Sequence, residues 1–323
     1  MRVLLRADAS AAIGAGHVAR MVAYAERAVA RGWEVAFSGG VENAEWLAAQ
    51  FDELGVSRVP FDPEGFDAVI VDHYGLGDLR KEVNAAGALL VSIEDDVFGR
   101  RPADIVVDSG FAPAPRPDDG SDLLLRGIAY APLRDVVRRT HRKPSGPPTH
   151  VTVVLGGGAE WATTVGLLLR ALRDTELPFV ADAFVRGEPS LPSLLPGQTI
   201  RLSPPSPALL EVMATTDVAV SASGVTFVEL CCLGVPTAAV QLVDNQETGY
   251  RAALDLGLAV GLGHADTLDL ASVTSTLRAL LSDADLRGSL SATASSTVDG
   301  LGVDRVLDQL ESRTGSVRDS PYR

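Results

Sequence analysis

Long apolar runs are missing from the start of this 323-residue chain: the opening MRVLLRADAS turns polar after about five residues, too few for a signal-peptide core or a membrane span. A cytoplasmic protein with no membrane partner is expected. Positive charge is scarce too. Lys and Arg number 28 against 42 Asp and Glu, a net charge of −14, which argues against the clustered basic surface that binds a nucleic-acid backbone. No nucleic-acid partner is expected, and any phosphate must be held locally, by backbone amides or a few placed side chains. The two cysteines, Cys231 and Cys232, are adjacent within an apolar helical run, so they read as small core residues rather than a disulfide or redox pair. Metal-ligand spacing is absent as well. The run Glu94, Asp95, Asp96 has no His or further carboxylate at a recognisable spacing, and neither a metal nor another cofactor is expected. No short-period repeat is found.

What is present is an ordinary globular composition, 46% hydrophobic and 22% charged. The length exceeds what one core usually sustains, so two α/β domains of about 150 residues each are expected. Short apolar runs bounded by Gly, Asp or Ser, at Val3 to Arg6, Val35 to Ser38, Ala68 to Asp72, Leu89 to Glu94 and Ile105 to Asp108, read as buried parallel strands. Between the first two lies GHVARMVAYAERAVARG, with Val18, Val22, Ala25 and Val29 at helical spacing and Gly32 as a stop. The basic, Pro-rich segment THRKPSGPPTH, Thr140 to His150, reads as an interdomain linker. Strand, glycine turn and helix then recur: His150 to Leu155 leads into Gly156, Gly157 and Gly158, and Asp217 to Ser221 leads into SASGVTFVELCCLGVP. These signals predict an α/β protein with an N-terminal Rossmann-like domain over 1–142, a second over 149–310, and a frayed tail over 311–323.

Three loops carry candidate chemistry. DASAAIGAGHVAR places Gly14, Gly16 and His17 where a strand gives way to a helix. Glycines there let backbone approach a ligand, and the helix N-terminus favours a phosphate or developing oxyanion. His17 is either a general base taking a proton from an attacking nucleophile or a helix residue making a local hydrogen bond. In ASGVTFVELCCLGVP, Ser223, Gly224 and Thr226 present hydroxyls and amides to a diphosphate, and Glu229, one turn into the helix, is placed to accept from a ribose diol; a structural helix with a solvated Glu is the alternative. In QLVDNQETGY, Asp244, Asn245 and Gln246 follow a strand, and their amides and carboxylate suit sugar hydroxyls and acetamido groups, against a plain loop. Tyr74, in VDHYG at a strand end, is a further candidate for a sugar contact, and His73 beside it reads as structural.

Taken in this order, RADASAAIGAGHVAR, VDHYGL, YAPLR (Tyr130 to Arg134) and ASGVTFVELCCLGVP followed by DNQ resemble one family. It is that of the UDP-sugar hydrolase of pseudaminic acid biosynthesis and the related spore-coat polysaccharide proteins. These are similar in turn to the GT-B glycosyltransferase that builds the peptidoglycan lipid intermediate. The resemblance implies two Rossmann-like domains facing a central cleft, with a UDP-sugar as substrate and its anomeric C–O bond broken. It implies that His17 activates the nucleophile, with Gly14 and Gly16 flanking it. It implies further that Ser223, Gly224, Thr226 and Glu229 hold UDP, and that Asn245, Gln246 and Tyr74 contact the sugar.

The chain departs from those hydrolases around the reacting sugar. Where they read DQN it has Asp108, Ser109, Gly110; where they read GGSD or GGTD it has Gly156, Gly157, Gly158, Ala159, Glu160, Trp161; and after DHYGL it reads GDLRK. The leading expectation is therefore an inverting glycosyltransferase that moves a sugar from UDP to a small acceptor deprotonated by His17. Glu160 and Trp161 suit a flat, hydrogen-bonding acceptor such as a nucleobase, as in enzymes that join cytosine to glucuronic acid. The alternative is the hydrolase, with water in the acceptor place, and a nucleotide-sugar sensor is a third, non-enzyme reading. The partners expected are small-molecule substrates, and a homodimer is left open.

Overall fold

The computed structural model describes residues 1–10, 13–42, 44–143, 146, 149–156 and 161–318. The chain is α/β and divides into two compact units, one formed by Met1–Asp135 with Gly300–Arg323, the other by Val136–Asp299. In the first, β1 (Arg2–Ala7), α1 (Gly16–Ala30), β2 (Glu34–Ser38), α2 (Glu45–Glu53), β3 (Ser57–Arg58), β4 (Ala68–Asp72), α3 (Arg80–Ala85), β5 (Leu89–Glu94), β6 (Ile105–Asp108) and β7 (Leu123–Arg126) follow in order. Their strands form one parallel sheet, β3-β2-β1-β4-β5-β6-β7. The segment α4 (Asp135–Arg139) leads to the second unit. There β8 (Thr149–Val154), α5 (Ala162–Asp174), β9 (Phe179–Phe184), β10 (Gln198–Ser203), α6 (Leu209–Thr215), β11 (Val218–Ala222), α7 (Val225–Cys232), β12 (Thr237–Gln241), α8 (Glu247–Asp255), β13 (Ala259–His264), α9 (Leu270–Ser282) and α10 (Ala284–Thr297) build a parallel sheet ordered β10-β9-β8-β11-β12-β13. Helix α11 (Gly302–Arg318) closes the chain.

The central strands are largely apolar because both of their faces are covered. In the first sheet Val3, Leu5, Ile70, Val91 and Ile93 pack with α1 on one face, while Leu4, Val69, Val71 and Leu90 pack with Val83 of α3 on the other, the period-two alternation of a pleated strand. Cys231 is buried and Cys232 half-buried, both free thiols. The expected tail over 311–323 needs correction. Val303, Val306, Leu307 and Leu310 recur at helical spacing and are buried in the first unit's core, so α11 runs on to Arg318 without a break at 310. The boundary expected at 142 moves for a related reason: Arg142 donates to the carbonyls of Thr216, Gly234 and Asp217, which ties it to the second unit.

In both sheets the strand order reverses direction at the centre, between β1 and β4 in the first and between β8 and β11 in the second. Open parallel sheets leave a crevice outside the carboxyl ends of their strands at such switch points, so the loops after these four strands are where a ligand belongs.

Candidate functional site

The first unit's switch point lies where Ala7 and Asp72 pair at the ends of β1 and β4. After β1 the backbone turns through Gly14, whose N–H donates to the Ser10 carbonyl at 2.8 Å and whose φ of +83° favours glycine. Helix α1 then begins at Gly16 with Ala15 as its N-cap and no side-chain cap, so its first amides are left for another acceptor. His17, only 5% exposed, sits in that first turn.

Its Nδ1 lies 2.6 Å from Asp72 Oδ1. Arg20, one turn along the same helix, forks onto the same carboxylate through Nε at 2.6 Å and Nη2 at 2.9 Å, and reaches Asp95 through Nη1 and Nη2 at 2.9 Å each. The Tyr74 hydroxyl donates to Asp95, and the Tyr74 ring meets His17 edge-on with centroids 4.5 Å apart. Five side chains from α1 and from the ends of β4 and β5 thus form one network. Burial alone would raise the Asp72 pKa, but the charges of Arg20 and His17 and their hydrogen bonds hold it down at about 2. Asp72 is therefore ionised and can only accept, which assigns the hydrogen of the 2.6 Å contact to His17 Nδ1; an imidazole in that tautomer, once it has given up its second proton, carries its lone pair on Nε2. Burial and the Asp95 charge push the Tyr74 phenol well above its ordinary range, so it stays a donor.

The neighbouring polar groups hold the loops. His73 Nδ1 accepts from the amides of Gly75 and Leu76 at 2.9 and 3.1 Å, and its Nε2 reaches Asp8 at 3.0 Å. Buried Glu94 pairs with Arg116 at 2.5 Å and accepts from the Arg101 amide, and Asp96 accepts from the Ala114 amide. The acidic run beside Asp95 is thereby tied into protein contacts, and among the described residues no group of three His, Cys, Asp or Glu is arranged to hold a metal.

In the second unit the loops after β8, β11 and β12 are neighbours at one sheet edge. Helix α7 starts with Gly224 as N-cap and no side-chain cap; Ser223 Oγ is buried without a hydrogen-bond partner among the described residues, and Thr226 is half-exposed in the first turn. Glu229 is buried in the same helix. Asn245 is exposed beyond β12, while Gln246 turns its Oε1 back onto the Leu242 amide at 3.0 Å, leaving its amide nitrogen for other partners. Trp161 is the N-cap residue of α5 and packs partly against the core, and Glu160 lies outside the described residues.

The structure thus gathers Gly14, Gly16, His17 and Tyr74 at one sheet edge, and Ser223, Gly224, Thr226, Glu229, Asn245, Gln246 and Trp161 at the other. The sequence assigns no role in this network to Arg20 or Asp95. Arg20 was visible one helical turn after His17 and Asp95 directly beyond a predicted strand, but nothing in the sequence joins residues so far apart.

No family model matches the chain, and no curated protein matches it in sequence. Solved structures do resemble it. MurG of Acinetobacter baumannii superposes with a TM-score of 0.64 at 17% identity over 96% of this chain and 99% of its own. The glycosyltransferase VinC in complex with DTDP gives 0.63 at 15% over 98% and 100%. A putative UDP-N-acetylglucosamine 2-epimerase from Listeria monocytogenes gives 0.62 at 12% over 97% and 96%. The chain accordingly has the GT-B fold of the glycosyltransferases among these structures, two Rossmann-like units. An epimerase of similar fold stands beside them, so the reaction has to be argued from the site.

Proposed function

We propose that this protein is a UDP-sugar-dependent enzyme that breaks the anomeric C–O bond, and that it acts as an inverting glycosyltransferase. The observation that carries the reading is His17 held at the first switch point with its Nδ1–H directed at an ionised Asp72, the tautomer that puts the lone pair of a neutral imidazole on Nε2. In that tautomer His17 takes the proton of an acceptor as the acceptor attacks C1 from the face opposite UDP. The electron pair of the breaking C1–O bond leaves with the diphosphate. Charge there is met by the uncapped amides at the start of α7, together with Ser223 and Thr226. Glu229 is assigned the ribose, and Asn245 and Gln246 the sugar.

Hydrolysis is the second reading, favoured by the resemblance of GAGHVAR and VDHYGL to motifs of the UDP-sugar hydrolases. The test follows UDP release from a panel of UDP-sugars, with and without acceptors. Transfer requires release to depend on added acceptor, whereas hydrolysis proceeds in buffer. In either case His17→Ala should lower turnover by about 100- to 10,000-fold while UDP affinity holds. Loss of UDP binding in that variant would make His17 a phosphate ligand and defeat the general-base assignment.

A further inference from the structure

The polar groups beside His17 are occupied by one another. Asp72 is bonded by His17 and Arg20, Asp95 by Arg20 and Tyr74, and the Tyr74 hydroxyl donates to Asp95. Apart from the uncapped first amides of α1, what the side chains around the histidine still offer a ligand is hydrocarbon. Tyr74 is 41% exposed, Val97 54% and Phe98 38%. Single exposed apolar residues are ordinary, but these adjoin: the rings of Tyr74 and Phe98 are 5.7 Å apart, and Val97 precedes Phe98 in the same turn. The turn is braced. Asp95 and Phe98 exchange backbone hydrogen bonds at 3.1 and 2.9 Å, and Asp96 holds a left-handed φ of +57° with its side chain on the Ala114 amide and its carbonyl on Arg100 Nε. The two apolar side chains are presented by a constrained turn rather than by a fraying one.

We propose that Tyr74, Val97 and Phe98 form an acceptor subsite for a flat, largely apolar ring that carries one hydroxyl or ring N–H group. This deepens the reading above and rests on it only for the reaction of the bound ring. The shelf is continuous with the base through the edge contact of Tyr74 and His17, so whatever covers it lies beside the histidine. Water gains nothing from apolar surface, and a polyhydroxylated acceptor would leave hydroxyls unpaired against it. A flat ring covers it and brings its one polar group to His17. The acceptor O–H or N–H proton passes to His17 Nε2 as that oxygen or nitrogen bonds to C1 of the sugar. The C1–O bond to UDP breaks, its electrons go to the diphosphate oxygen, and the imidazolium later returns its proton to solvent.

The probe is 4-methylumbelliferone, a flat ring system with one hydroxyl, titrated into the full-length protein and followed by fluorescence and by saturation-transfer NMR, readouts that need no turnover. Binding is expected to weaken about 3- to 10-fold in Phe98→Ala and in Val97→Ser, the size of a lost aromatic or apolar contact. It should persist in Phe98→Tyr, which keeps the ring, and in Leu124→Ser, which removes an exposed apolar side chain of β7. Thermal melts confirm that each variant folds, and Val97, more than half exposed, guards against a core defect in Phe98→Ala. Equal affinity in wild type, Phe98→Ala and Val97→Ser, or no binding to wild type, overturns the subsite. So does loss of co-sedimentation with anionic phospholipid vesicles in Val97→Ser when the probe does not bind, which gives the shelf to a lipid surface. Shelf-dependent binding without UDP release from any UDP-sugar upholds the subsite while overturning transfer.

Discussion

Asp72 is a carboxylate without solvent that nevertheless stays charged, because Arg20 forks onto it and His17 donates to it. Its folded pKa lies below the unfolded one, so its contribution to stability is fully present above pH about 4 and is lost as pH falls through about 2. The shift from 3.8 to about 2 corresponds to about 2 kcal/mol. Denaturant unfolding measured between pH 4 and 2 should therefore fall more steeply in wild type than in Asp72→Asn; parallel curves would show that Asp72 carries no such linkage. The same variant tests the tautomer. An amide no longer requires the proton to sit on Nδ1, so turnover should drop toward the roughly 100- to 10,000-fold that general-base catalysis contributes, with UDP affinity unchanged. Unaltered turnover would leave Asp72 a purely structural partner of Arg20.

At the scale of elements, α7 lacks a side-chain cap and Ser223 Oγ lacks a partner among the described residues. A Ser that caps a helix costs about 1 kcal/mol when removed. Ser223 makes no such bond, so Ser223→Ala should leave the melting temperature nearly unchanged yet weaken UDP binding by about 1.5 to 3 kcal/mol, the size of a hydrogen bond to a charged group. A fall in stability with UDP affinity intact would make the residue structural. Glu229, buried one turn further on, is assigned the ribose diol. UDP should then bind more tightly than DTDP by a margin that Glu229→Ala abolishes, and calorimetry showing the same margin in both proteins would remove the ribose role. These loops were legible in the sequence because each couples glycine and hydroxyl residues to the end of a continuous apolar run. Strands without that signature were not: β3 is two exposed residues at an edge, β10 reads QTIRLS with half of its positions exposed, and β13 is interrupted in sequence by Gly261 and Gly263. The His17 network was half legible. His17, Arg20, Asp72 and Tyr74 stand in the quoted motifs, whereas their pairing with one another and with Asp95 depends on the register of β1, β4 and β5, which only folding sets.

Across the whole molecule, the first unit is completed by the last helix. The apolar spacing of Val303, Val306, Leu307 and Leu310 was readable in the sequence; its docking site was not, since Arg27 of α1 and Arg31 just beyond it, which pair with Asp304, lie hundreds of residues away. Each buried Val or Leu stabilises by roughly 1.5 to 3 kcal/mol, so four amount to about 6 to 12, as large as the net stability of a typical domain. Residues 1–135 alone should therefore fail to fold cooperatively. The chain leaves this unit and returns to it at adjoining points, because a Cβ on Gly302 would run into the Ala131 carbonyl oxygen. Joining 1–135 to 300–323 through a short flexible linker should then restore a cooperative thermal transition, and Leu307→Ala in the full chain should cost about 2 to 5 kcal/mol. The continuous segment 136–299 should fold separately and, carrying Ser223, Thr226 and Glu229, retain UDP binding in calorimetry. A cooperative melt from 1–135 without α11 would show that the helix only decorates the unit, and a folded 136–299 that ignores UDP would move the nucleotide site out of α7.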